Sequence, residues 1–193
     1  MILAVGCGTA PSPSPSSTAT RPASASVPSA ATSSTPGGSG TAVTADPSLL
    51  AVVPAAAAGL QLDYDPDTTA SVAADPALAA DVEALAIGLA VPIGQATPAE
   101  LVITSVVRLR DPGSDDEWFR SWRDTYDQAA CEQAGGVSGH AQSEFNGHVV
   151  YIGSCAGGAT TYHVRLGAGA LVMSLTSIGS SRLGERIVRE LTP

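Results

Sequence analysis

The apolar positions fall into two periods along this chain. From Leu101 to Leu109 the pattern has period two. Leu101, Ile103, Val107 and Leu109 share one face, and Thr104, Arg108 and Arg110 the other, with Pro98 and Pro112 as bounds, so the spacing predicts a strand over 100–110. Leu60 and Leu62 alternate with polar residues and predict a shorter strand in the segment 46–65 that opens the folded region. Leu78, Val82, Leu85 and Leu89 recur at three and four residues, behind an Asp75-Pro76 start signal and ahead of Pro92 and Gly94. That spacing predicts an amphipathic helix. A second helix is expected to open on the capping box Ser114-Asp115-Asp116-Glu117, carry Trp118, Trp122 and Tyr126, and run to about Cys131 before Gly135-Gly136.

Three strand-like runs follow at 147–155, 159–166 and 170–177, and a weaker one precedes them at 139–145. Gly157-Gly158 and Gly167-Ala168-Gly169 separate them as hairpins. Leu183, Ile187, Val188 and Leu191 then mark the buried stripe of a last helix. The order β-α-β-α-β-β-β-β-α has more hairpins than crossovers. The expected class is therefore α+β, a mostly antiparallel sheet with about three helices on one face, in a single domain over 45–193.

Ahead of that domain the pattern stops. From Gly8 to Thr44 the only charged residue is Arg21, and Pro, Ser, Thr and Ala dominate. Such a stretch buries too little apolar surface to offset its ordering entropy, so residues 7–44 are expected to be a disordered tether reaching roughly 35 Å. Net charge adds an exclusion. The 193 residues carry a formal charge of -9, and all nine basic residues are Arg. A phosphate-neutralising face is not available, which argues against nucleic-acid binding, and electrostatic adsorption to an anionic bilayer is disfavoured.

Ala4-Val5-Gly6-Cys7 resembles the lipobox of bacterial lipoproteins, and the Lys-free, Ala- and Gly-rich usage resembles that of high-GC bacteria. The resemblance implies that residues 1–6 are the remnant of a signal peptide, with the true start upstream or the N-terminus clipped. It implies that Cys7 carries the lipid and that the domain is anchored on the outer face of the cell membrane. Cys131 and Cys155 then remain as a pair. In an oxidising compartment they are expected to bridge, closing a loop of about 25 residues, the alternative being two buried thiols. The order of elements over the last hundred residues also resembles the small Mog1/PsbP-like lipoprotein domains of high-GC Gram-positive bacteria, which implies a fold and no chemistry.

Candidate chemistry is sparse. Gly153-Ser154-Cys155-Ala156-Gly157 has the form of a nucleophile elbow, but a strand follows it where that motif needs a helix, so a half-cystine is expected. Ser138, His140, His148 and His163 supply the side chains of a hydrolase without the spacing of one. Asp63-x-Asp65-x-Asp67 resembles the start of a calcium loop, yet Thr68 and Ala74 stand where Gly and Glu belong, so Asp-Pro turn chemistry is expected and no metal or cofactor. Period two places Tyr162, Val164 and Leu166 in the core and leaves His163 and Arg165 on an open face. With Arg108, Arg110 and Trp122 they form the candidate ligand patch. The expected function is a binding or interaction module for a small ligand or a cell-envelope protein. The alternatives are a small cell-envelope hydrolase using Ser138 or a histidine, and an accessory subunit of a transporter or sensor.

Overall fold

The computed structural model describes residues 42–94 and 99–193; Cys7 and the stretch to residue 41 lie outside the described residues, whereas the last residues of the expected tether belong to the fold, Val43 buried in the core and Thr44 in a strand. Eight strands form one sheet: β1 (Thr44–Ala45), β2 (Leu60–Tyr64), β3 (Val82–Pro92), β4 (Leu101–Leu109), β5 (Val137–Phe145), β6 (His148–Cys155), β7 (Thr160–Leu166) and β8 (Leu171–Ile178). The helices are α1 (Pro66–Ala73), α2 (Asp116–Cys131) and α3 (Leu183–Arg189), with a 3₁₀ turn at Pro47–Val52. The strand order is β1-β3-β4-β8-β7-β6-β5, and β2 joins β3 at the same edge as β1. Every strand pair is antiparallel except β1 with β3. The class is α+β. The four-stranded meander β5–β8 follows the glycine punctuation, and β8 returns beside β4 to close the sheet.

Four Asp-Pro steps organise the first half. Asp46 and Asp65 accept hydrogen bonds from the backbone N–H groups of Ser48 and Thr68 and start the 3₁₀ turn and α1. Asp75 and Asp111 accept from Ala77 and Gly113. The Asp of each pair satisfies an orphan donor while Pro fills a position that lacks one. Asp65 therefore acts as a helix cap, and Asp63 hydrogen-bonds Gln61.

The helix expected after Asp75-Pro76 does not form. One turn ends at Val82, and the chain continues as β3. Residues 84–91 alternate small and large: Ala84, Ala86, Gly88 and Ala90 on one face, Leu85, Ile87, Leu89 and Val91 on the other. Both faces are covered along most of its length, Leu89 excepted, so the run lacks polar positions and its large residues mimic a helical period. Gly88 shows why one face is small. A Cβ there would stand 2.9 Å from the Asp63 carbonyl and 3.0 Å from Leu50.

The sheet carries helices on both faces, where one face was expected. On the first, α3 and the 3₁₀ turn bury Leu49, Leu183, Ile187 and Val188 against Val106, Met173 and Leu175. On the second, α2 packs Phe119 against Val107, Leu109 and Val172. The cap of α2 sits one residue later than the capping box predicts. Asp115, not Ser114, accepts from the Trp118 N–H at 2.8 Å. The far end of α2 is joined to the end of β6 by the disulfide Cys131–Cys155, with Cα atoms 5.1 Å apart. No helix among the described residues is long and apolar enough to cross a membrane.

Candidate functional site

Under α2 the sheet presents a polar row. Cross-strand pairing sets Ser105 beside Ser174, Ser174 beside His163, and Gly153 beside Thr161. Asp127 descends onto this row from α2, on the same i, i+4 ridge as Phe119, Arg123 and Cys131. Its Oδ1 receives the Thr161 hydroxyl at 2.5 Å and lies 2.8 Å from His163 Nε2. Its Oδ2 lies 3.2 Å from His140 Nε2 on β5. On the other side of the imidazole, Nδ1 is 2.9 Å from Ser174 Oγ, which accepts from the Trp122 indole at 3.3 Å. One assignment of protons satisfies the whole chain. Trp122 donates to Ser174, Ser174 donates to His163 Nδ1, and His163 Nε2–H donates to Asp127.

Removal from water would by itself raise the Asp127 carboxyl, but the hydrogen bonds from His163 and Thr161 outweigh it and hold it below the ordinary carboxylate range. Beside it, burial and then the Asp127 charge push the Tyr126 phenol up to about 12, against the hydrogen bond from Thr176. Tyr126 is neutral and edge-on to His163, with ring centroids 5.1 Å apart.

Ser174, His163 and Asp127 have the composition of a catalytic triad, with the hydroxyl on Nδ1 and the carboxylate on Nε2. They are 1%, 0% and 0% exposed, so no substrate carbonyl reaches Ser174 Oγ. The array clamps α2 to the sheet. Gly153 makes room for it: a Cβ there would overlap Thr161 Oγ1 and stand 2.5 Å from Asp127 Oδ2. Gly153→Ala is therefore expected to lower stability by about 1–3 kcal/mol, measured by urea unfolding. A change within 0.5 kcal/mol would show that the clamp tolerates displacement. The elbow-like stretch Gly153–Gly157 is thus a strand end and hairpin.

His163 does not sit on an open face. Its face is covered by α2, which crosses to the side of the sheet opposite α3. Arg165 lies on the same face and holds the start of α2, with its guanidinium over the Phe119 ring at 5.5 Å and bonded to the Ser114 carbonyl. Arg108 belongs to the opposite face, two strands away, and pairs with Asp46 at 3.3 Å. Arg110 donates to the Ala79 carbonyl at 3.0 Å, securing the turn before β3. The structure brings together His163 and Trp122, and it separates them from Arg108 and Arg110. Ser138 donates to the Ser154 carbonyl, and His148 lies 2.9 Å from the Thr192 carbonyl.

Sequence reasoning missed Asp127, Ser174 and Thr161. A signal was present. Asp127 interrupts the buried ridge of an amphipathic helix, and Thr161-x-His163 and Ser174-x-Thr176 are polar positions of one strand parity.

Beside α2 the same face stays partly open. Leu89, Ile103 and Ile178 remain 38–41% exposed. Leu89 pairs across strands with Ile103, and Ile178 with Leu101. A cavity of about 760 Å³ is lined by Ile103, Ile178, Thr176, Tyr126, Ala129 and Ala130 among others. A second, of about 510 Å³, lies between α2 and the turn before β3, against Val72, Leu78, Trp118 and Trp122. Tyr126 and Ala129 line both. Trp118 and Trp122 stack on each other with centroids 5.6 Å apart.

No family model, curated protein or solved structure matches this chain.

Proposed function

We propose that this protein is a lipid-anchored, extracytoplasmic binding module, tethered through Cys7, whose α+β domain receives a ligand or partner in the groove beside α2. One observation carries the reading. The polar array that has the makings of catalysis is sealed, whereas the apolar groove next to it is open to solvent and walled by the protein's only two tryptophans. Aromatic and aliphatic walls with a few oriented hydroxyls are the usual make-up of a ligand site. The Cys131–Cys155 bridge accords with an oxidising compartment.

Two experiments test the proposal. Radiolabelled palmitate is expected to enter the full-length exported protein and to be absent from Cys7→Ala; equal labelling would overturn the anchor. A photo-reactive side chain at Ala129 is expected to give a discrete adduct in intact cells that the same group at Gln142 on β5 does not give. Identical adducts from both positions would overturn the groove as the site.

A further inference from the structure

Building on the groove assignment above, we infer that its occupant is a single hydrocarbon chain of an electrically neutral lipid. Shape supplies the first argument. The lining residues on α2 run from Trp118 through Trp122 and Tyr126 to Ala130, about 18 Å of helix at 1.5 Å per residue. Tyr126 and Ala129 line both cavities. An elongated ligand touches both; a compact one fills neither length.

Surface chemistry supplies the second. The walls offer half-exposed Ile103 and Ile178 in the larger cavity, and Leu78 with the two indoles in the smaller. These are exposed apolar groups that a methylene chain would take out of water. Of the polar side chains in the linings, Thr176 donates to Tyr126 and the Trp122 indole donates to Ser174, and Ser121, Thr125 and Gln133 stand beside the apolar walls.

Charge supplies the third. None of the described residues lining the larger cavity is charged, and the charged residues lining the smaller one are Asp75 and Asp81. The whole chain is at -9. An anionic head group at either mouth meets no cation in the lining and is repelled by those carboxylates. A neutral head group is not.

The test uses the full chain and its own reporters. Trp118 and Trp122 are the only tryptophans, so their emission is followed while monoacylglycerols of increasing chain length, each below its critical concentration, are titrated in. The expected affinity rises about fourfold per added methylene until the groove is full. The sodium salts of the same fatty acids are expected to bind about tenfold more weakly. Ala129→Arg places a cation in the lining of both cavities, on an exposed position of α2 where Arg is a good helix former. It is expected to weaken monoacylglycerol binding about tenfold with circular dichroism and cooperative unfolding unchanged. Binding independent of chain length, or undiminished in Ala129→Arg, would overturn the inference, and so would fatty-acid salts that bind as well as the glycerides. If the glycerides do not bind while the Ala129 photo-probe yields a protein adduct, the lipid assignment falls and the binding module stands. If both fail, both fall.

Discussion

Asp127→Ala is expected to lower the free energy of unfolding by about 3–5 kcal/mol, the cost of removing one partner from a buried, hydrogen-bonded charge network. Asp127 is 0% exposed and is the point where α2, β5 and β7 meet, through His140, His163 and Thr161. Its removal leaves two of these groups buried without an acceptor and opens a void over Gly153. Asp127→Asn keeps the shape and is expected to cost about 1–3 kcal/mol. Urea denaturation followed by circular dichroism measures both. A loss below 1 kcal/mol for the alanine variant would mean that the polar array is incidental to the seating of α2.

The same carboxylate makes stability depend on pH in a defined direction. Its folded-state pKa lies below its ordinary value, so the unfolded chain takes up its proton more readily than the folded one. The stabilisation is therefore complete above the unfolded pKa, about 4. It is lost as pH falls through the folded value. The stability gap between wild type and Asp127→Asn should be level above pH of about 5 and shrink below about 4. A gap that stays constant on acidification would sink this account.

The double change Cys131→Ser/Cys155→Ser is expected to cost about 3–4 kcal/mol in the loop-entropy model, for a sequence separation of 24 residues. That corresponds to a drop in Tm of about 10 °C for a domain of this size. Both cysteines are buried, at 0% and 4% exposure, so the non-reduced native protein should alkylate at neither. Cys131 lies one helical turn beyond Asp127, and Cys155 is two residues from Gly153. The bridge and the clamp therefore hold the same end of α2. Their removal should be non-additive by 0.5 kcal/mol or more, as neighbouring sites with shared elements are. Calorimetry on the two single lesions and their combination measures this coupling. A drop in Tm of under 3 °C for the double serine variant would mean that the clamp alone seats the helix.

Most elements were legible because their signals are local. The meander β5–β8, the strand β4, the helix α2 up to Cys131 and the stripe of α3 each follow from period and punctuation. The failure at β3 is physical. Its two faces, covered along most of their length, remove the polar positions that would expose a period of two, and the readable signal was side-chain size, Ala and Gly alternating with Leu and Ile. Helix α1 was missed because its eight residues lack an apolar stripe, Thr69 being its one buried residue. Its cap, Asp65-Pro66, was legible as a turn.

The candidate site divides in the same way. Sequence alone determined the strand parity that puts His163 opposite Tyr162, the pairing partners available to Cys131 and Cys155, the aromatic ladder of α2, and a net acidic balance. It could not determine what covers the second face of the sheet, because the crossover from β4 through α2 to β5 can pass on either side without changing any local propensity. Tertiary structure decided that α2 passes opposite α3. That choice buried His163, set Asp127 over Gly153, and left Leu89 and Ile103 half in water, while the register of β4, β8 and β7 put Arg108 and Arg165 on opposite faces. Burial of a polar residue is a property of two elements brought together across the chain, here Asp127 and His163 from α2 and β7, and neither carries it alone.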